Sequence, residues 1–380
     1  MTFDRIPIRP EVTRRNRRIE RMLDRLVRGA DRAGGVVGRG RKAPYDDHAY
    51  EFEGGPSDKL RKRHYDKSLR LLWKAEQHTP WSDFRDCTKQ EREIMALAEG
   101  ALTDAERGHV DRMRSDEFRA LLDREYDAEQ KQAIVNILSM IGHGEAYAWL
   151  VSAELLNEVQ STGARAALTM QVLEEAKHFV VLRELILAFD VPVPPMCVYE
   201  YVLLERTFKS KGLEKFFGMN VVVEGFALSL FGLMSHLPGL EVLRLFHLDE
   251  SRHTALPVNY FDEFPMSAWE RYNPKAQLRR LSLVLPALPV LTWIEDDLAV
   301  LGVDAFEFGG SLTRKILLLA DRAGFKVGLT QQQLADLVEF LFHQYCSATR
   351  PDHVRRSFLA AETTRGVVER GVEAEVFAAS

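Results

Sequence analysis

Cysteine is scarce in this chain. Three are spread over 380 residues, at Cys87, Cys197 and Cys346, and none forms a C-x-x-C pair. That excludes a disulfide framework, a zinc knuckle and an iron–sulfur cluster held by the chain's own thiolates. An excess of one charge is lacking too. There are 51 Lys and Arg against 56 Asp and Glu, a net charge of −5, so the chain as a whole has no nucleic-acid signature. No run of period-2 strands and no repeat of solenoid length is present. The first 18 residues are rich in arginine and hold no apolar stretch, so no signal peptide is expected and a reducing cytoplasm is the expected location.

What is present is ordinary globular composition, 46% hydrophobic and 28% charged, at a length that can bury a cofactor. Residues 1–42 carry 13 Lys and Arg against 5 Asp and Glu. Within them Ile19, Met22, Leu23, Leu26 and Val27 recur with a helical period over 11–33. This reads as an amphipathic helix lying on its own domain, or as a docking arm for an acidic partner or membrane surface. Residues 33–57 read as loop, 58–350 as one helical domain and 351–380 as a tail. The pattern predicts helices over about 58–76, 88–101, 116–124, 128–159, 164–189, 196–209, 213–236, 240–255, 274–301, 311–323 and 331–347. Short turns at Ser161-Thr162-Gly163 and Pro238-Gly239 imply two antiparallel hairpins, 128–159 with 164–189 and 213–236 with 240–255. Side by side these make a four-helix bundle, and the fold class expected is all-α.

Two five-residue segments are alike: Glu174-Glu175-Ala176-Lys177-His178 and Asp249-Glu250-Ser251-Arg252-His253. In each, Glu and His three residues apart project from one helix face, where a carboxylate and an imidazole can hold one transition-metal ion. The other two helices each supply a lone charge. Glu145 is the single formal charge between Ala133 and Ala153, and Glu224 the single one between Phe216 and His236. A lone Glu in an apolar helix is costly unless it is paired or binds metal. Reflected through the two turns, Glu175 and Glu250 fall at about the heights of Glu145 and Glu224, whereas Glu154, the rival on the first helix, does not. Six ligands are therefore expected to converge: Glu145, Glu175, His178, Glu224, Glu250 and His253. Four carboxylates and two imidazoles suit two iron ions, or one manganese and one iron, bridged by carboxylates. Glu174 and Asp249, each four residues before a motif His, are placed to accept the imidazole N–H that faces away from metal.

With these residues the chain resembles the ferritin-like dimetal-carboxylate proteins. The likeness is to the group of ribonucleotide reductase small subunits, acyl-carrier-protein desaturases and p-aminobenzoate N-oxygenases. The resemblance covers about residues 128–255 and rests on the order Glu, acid-Glu-x-x-His, Glu, acid-Glu-x-x-His. Asp-Glu-x-Arg-His at 249–253 is especially like the desaturases, and Leu72-Trp73-Lys74-Ala75-Glu76 with Pro80-Trp81 is loosely like the reductase N-terminal region. The resemblance implies a ferritin-like bundle and O2 activation at a reduced dimetal centre. Leu182 stands where a radical-storing subunit carries tyrosine, and Phe246 where the N-oxygenases carry an extra ligand His. His247 beside it and His143 near Glu145 leave a seventh ligand open; hydrogen-bonded helix histidines are the plainer reading of these and of His236. The four-Cys iron domain of rubrerythrin-type peroxidases is lacking, and ferritin storage subunits are much shorter.

The expected function is an O2-dependent oxygenase or desaturase acting on an apolar small molecule or acyl chain. Its external electron donor would be of the ferredoxin type, and a homodimer is open. Arylamine N-oxygenation, or a metal-holding ferroxidase-like or ligand-binding protein without organic turnover, are the alternatives. Residues 216–235 approach transmembrane length and 281–293 are apolar but broken by Pro286 and Pro289. A metal-facing Glu224 argues against a membrane span for the first. Phe179, Phe226, Leu228, Phe231, Trp149 and Met219 are expected in the core or along a substrate cavity, and Ser229 is a hydroxyl that can face bound oxygen.

Overall fold

Asp127 stops the chain from extending and starts a helix. Its carboxylate accepts from the Glu129 and Gln130 amides, and Gln130 returns a bond to the Asp127 amide, a reciprocal cap for the helix that follows. Ser161 caps the next long helix through the Ala164 amide. In this computed structural model, which describes residues 4–36, 113, 115–264, 266–355 and 357, helices account for all regular structure among the described residues. In chain order they are α1 (Pro10–Val36), α2 (Asp116–Glu125), α3 (Ala128–Leu155), α4 (Thr162–Ala188), α5 (Val198–Lys209), α6 (Gly212–Met234) and α7 (Leu243–Tyr260). They continue as α8 (Ala268–Tyr272), α9 (Pro274–Val284), α10 (Ala287–Trp293), α11 (Glu295–Val300), α12 (Ala305–Arg322) and α13 (Gln331–Thr349). The expected helices 58–76 and 88–101, Cys87, the motif around Trp73 and Trp81, and most of the tail lie outside the described residues.

Both expected hairpins form. α3 packs along α4, α6 packs along α7, and α4 meets α7 between them. α3 and α6 are apolar on nearly every face because both are enclosed: α5 and α11 cover α3, and α12 covers α6. α6 is long and apolar enough to cross a membrane, but every residue from Leu213 to Met234 is buried inside the protein, with Glu224 at mid-helix. Gly239 turns the chain between α6 and α7 at φ +83°, and a Cβ there would sit 2.8 Å from the Leu122 side chain. Gly239→Ala is expected to destabilise the fold by about 1–3 kcal/mol, read as a lower urea midpoint at unchanged slope.

Several boundaries differ from the sequence reading for physical reasons. Residues 274–301 do not form one helix; the break at Leu285-Pro286 and the turn at Ile294 divide them into α9, α10 and α11. α7 does not stop before Pro257 but runs through it to Tyr260. α6 is not uniform: Phe217–Val223 is wound as a π-helix that ends where Glu224 begins. Trp149 is not core; it is 39% exposed on the outer face of α3. Phe179, Met219, Phe226, Leu228 and Phe231 are buried as expected.

The basic N-terminal helix lies on the domain. The buried Glu20 carboxylate accepts from the Val198 amide at the start of α5, Asn16 bonds Tyr345 on α13, and Thr13 bonds Asp296 on α11. Its outer face leaves Ile19, Met22 and Leu26 exposed.

Candidate metal centre

The four helices bring all six expected ligands together in the interior. None of Glu145, Glu175, His178, Glu224, Glu250 and His253 is more than 2% exposed. Their donor atoms form two clusters that can each hold a metal ion: Glu145, Glu175, His178 and Glu250 in one, and Glu175, Glu224, Glu250 and His253 in the other, with donor atoms within 4.8 Å of one another. Glu175 and Glu250 belong to both. Two shared carboxylates, with one further carboxylate and one imidazole at each end, are a donor set compatible with two ions.

Both imidazoles turn Nδ1 inward. His178 Nδ1 lies 3.1 Å from Glu145 Oε2 and 3.0 Å from Glu250 Oε1; His253 Nδ1 lies 3.0 Å from Glu175 Oε1 and 3.1 Å from Glu250 Oε2. The outward nitrogens are held by Asp249 and Glu174, but the pairing is crossed. Asp249 Oδ2 takes His178 Nε2 at 3.0 Å, and Glu174 Oε2 takes His253 Nε2 at 2.8 Å. Each motif's acid thus holds the other motif's histidine and ties α4 to α7. Lys177 and Arg252, partly exposed, pair with these outer acids: Lys177 with Asp249, and Arg252 with both Glu174 and Asp249.

The charges balance within the protein. Burial pushes Glu145 and Glu224 well above the usual carboxylate range, and repulsion from Glu175 and Glu250 adds to it. Burial works the same way on Glu175, but the His253 charge and the closeness of both imidazoles outweigh it and hold Glu175 well below that range; Glu250 is also held down. Burial opposes charge on His178 and His253, yet the surrounding carboxylates keep both well above the ordinary histidine value.

Two observations test whether metal suits these residues. Buried Glu175 Oε2 and Glu250 Oε1 have no hydrogen-bond partner, and both belong to the shared carboxylates. Glu250 Oε1 lies 3.0 Å from His178 Nδ1 but is not aligned for a bond. An orphaned buried carboxylate oxygen costs free energy unless something binds it. Four buried carboxylates and two imidazoles meeting at one place are also a donor set that suits transition-metal ions.

An amide network missed in the sequence completes the cluster. Gln171 Nε2 donates to Glu175 Oε1 at 3.0 Å and to Glu224 Oε1 at 2.9 Å. Asn220, inside the π-helical turn, donates to Gln171 Oε1 at 2.9 Å and to the His253 carbonyl at 3.1 Å. That carbonyl is the one Pro257, four residues on and without an N–H, leaves without its helical partner. The signal was the spacing: Gln171 and Asn220 each stand four residues before a ligand Glu.

The remaining candidates lie off the cluster. His143 Nδ1 meets Glu200 Oε1 on α5 at 3.0 Å, and His247 Nδ1 meets the Leu228 carbonyl at 2.9 Å. Burial and the Lys315 charge push His247 down to about 4, so its ring is neutral. Ser229 donates to the Gly225 carbonyl of its own helix, and His236 is exposed. Glu154 pairs with Lys215. Phe246 stacks on His178, centroids 4.4 Å apart, and buried Leu182 packs in the core.

An apolar cavity of about 40 Å³ opens beside Glu145 and Glu224, walled by Met140, Ile141, Gly144, Leu203, Leu204 and Phe226. Comparison of the chain with protein-family models, curated proteins and solved structures finds no match.

Proposed function

We propose that this is a ferritin-like dimetal-carboxylate protein that activates O2 to oxidise an apolar small molecule or acyl chain. The observation that carries the reading is the sharing of Glu175 and Glu250 between the two clusters. On this reading Glu145 and His178 would hold one ion, Glu224 and His253 the other, and Glu175 and Glu250 would serve both. A bound pair of iron ions, or of manganese and iron, supplies Lewis acidity and electrons for O2 reduction. The chain's own residues keep the site dry, orient the imidazoles through Asp249 and Glu174, and present an apolar cavity for the substrate. Hydroxylation or desaturation draws two electrons from outside, which assigns the chain a ferredoxin-like donor as partner.

The cavity's size favours one rival. About 40 Å³ accommodates roughly three waters rather than an acyl chain, so a ferroxidase-like protein without organic turnover also fits. On the oxygenase reading Met140, unbranched and adaptable, gives way to substrate. Elemental analysis of protein grown with iron and manganese, followed by O2 uptake with candidate substrates, separates the readings. The oxygenase reading expects about two ions per chain and O2 consumption that depends on an organic substrate. O2 consumed only in proportion to added Fe²⁺ selects the rival; metal-free protein under every loading condition removes both. Gly144→Leu projects into the cavity from a position where a Cβ meets no atom within 4 Å. It is expected to keep both ions and lower substrate-dependent O2 uptake at least tenfold, about 1.4 kcal/mol.

A further inference from the structure

The two halves of the centre repeat each other in sequence, but not in what precedes each ligand. Four residues before Glu175 stands Gln171; at the matching place before Glu250 stands Phe246. Four residues before Glu224 stands Asn220; before Glu145 stands Ile141. One half therefore has two amides where the other has hydrocarbon. All four side chains are buried, Gln171 and Asn220 completely.

We propose that Gln171 and Asn220 are positioning residues that make the two metal positions unequal, the position of Glu224 and His253 being the tighter. This rests on the dimetal reading above. The network runs without a break. Pro257 frees the His253 carbonyl, Asn220 takes it, Asn220 also holds the Gln171 oxygen, and Gln171 spends both its N–H groups on Glu224 and Glu175. Three of the four residues in that cluster are thereby fixed before an ion arrives, two through their carboxylates and His253 through its backbone. Carboxylates already oriented lose less freedom on binding, and partners of this kind are worth about ten- to a hundredfold in metal affinity. The other end has no such amides. Phe246 lies flat on His178, and Ile141 lines the apolar cavity together with Glu145. Glu145 and Glu224 both border the cavity, but only Glu224 is held by an amide; Glu145 has the His178 ring, at 3.1 Å, in its place.

The test is anaerobic titration of the metal-free full chain with Mn²⁺, followed by calorimetry. Wild type is expected to bind two ions in two steps at least tenfold apart. Gln171→Met keeps the volume and removes the donors; it is expected to weaken the tight step about ten- to a hundredfold, merging it with the loose one. Phe246→Met is expected to leave the tight step unchanged. Should Gln171→Met lower the melting temperature sharply, the order is read from two other variants: Glu224→Gln is expected to lose the tight step and Glu145→Gln to keep it. Two equal steps in wild type, a tight step that survives Gln171→Met, or one that survives Glu224→Gln overturns the proposal. Wild type that binds no Mn²⁺ overturns the dimetal reading itself, a different result from two equal steps.

Discussion

Glu175→Ala and Glu250→Ala are each expected to bring the metal content from about two ions per chain to near none, while Glu145→Ala leaves about one. The asymmetry follows from membership. Glu175 and Glu250 contribute to both clusters, so either loss strips a carboxylate from two ions at once; Glu145 contributes to one cluster and leaves Glu175, Glu224, Glu250 and His253 intact. Removing a partner that merely orients a ligand costs about ten- to a hundredfold in affinity, and removing a ligand costs more. At metal concentrations just above that of the protein, such a loss empties a position. Elemental analysis after desalting reads the ratio directly, with circular dichroism confirming that each variant is folded. A Glu175→Ala protein that keeps one tightly held ion would mean that the clusters do not share their carboxylates, and the two-ion assignment would fall.

Much of this centre was legible because burial makes charge conspicuous. Glu145 and Glu224 stood out as lone acids in apolar stretches, and the two acid-Glu-x-x-His segments fixed the other helices. Helical geometry alone then put the six donors at one level. The crossed pairing of Asp249 with His178 and Glu174 with His253 was not legible in the same way. It depends on how α4 and α7 face each other, which no spacing within one helix encodes. The helix expected to end at 255 runs on through Pro257, where Asn220 supplies from another helix the donor that the broken ladder lacks. The π-helical turn before Glu224 has no periodic signature of its own, since Phe217–Val223 is buried on every side. Trp149 misled for the opposite reason: an aromatic in an apolar helix reads as core, yet this one lies on the face that no neighbour fully covers.

Loading the centre with two divalent ions is expected to release about four protons near neutral pH. In the metal-free protein burial raises Glu145 and Glu224, the surrounding carboxylates raise His178 and His253, and the imidazoles hold Glu175 and Glu250 down, so the form that burial favours has two neutral acids, two cations and two anions. The six groups then sum to zero charge. As ligands, four carboxylates and two neutral imidazoles sum to minus four, which two divalent ions cancel, so each ion replaces about two protons. Affinity therefore falls by about a hundredfold per ion for each unit that pH drops below the raised values, and levels off above them. The sign for stability follows from the same groups. Glu145 and Glu224 bind protons more tightly folded than unfolded, so the metal-free fold loses stability as pH rises from 4.5 through their raised values; the histidines lose theirs as pH rises through their own. Glu175 and Glu250 act oppositely and contribute only above 4.5, so acid removes their share. Metal removes the alkaline penalty, because it takes the place of the protons. The difference in melting temperature between metal-loaded and metal-free protein should widen steadily from pH 6 to pH 8. Calorimetry in two buffers of different ionisation enthalpy counts the protons. A count near zero at pH 7 would mean that four ionised carboxylates and two neutral imidazoles already share the metal-free interior, which the energetics of buried charge forbid without another cation.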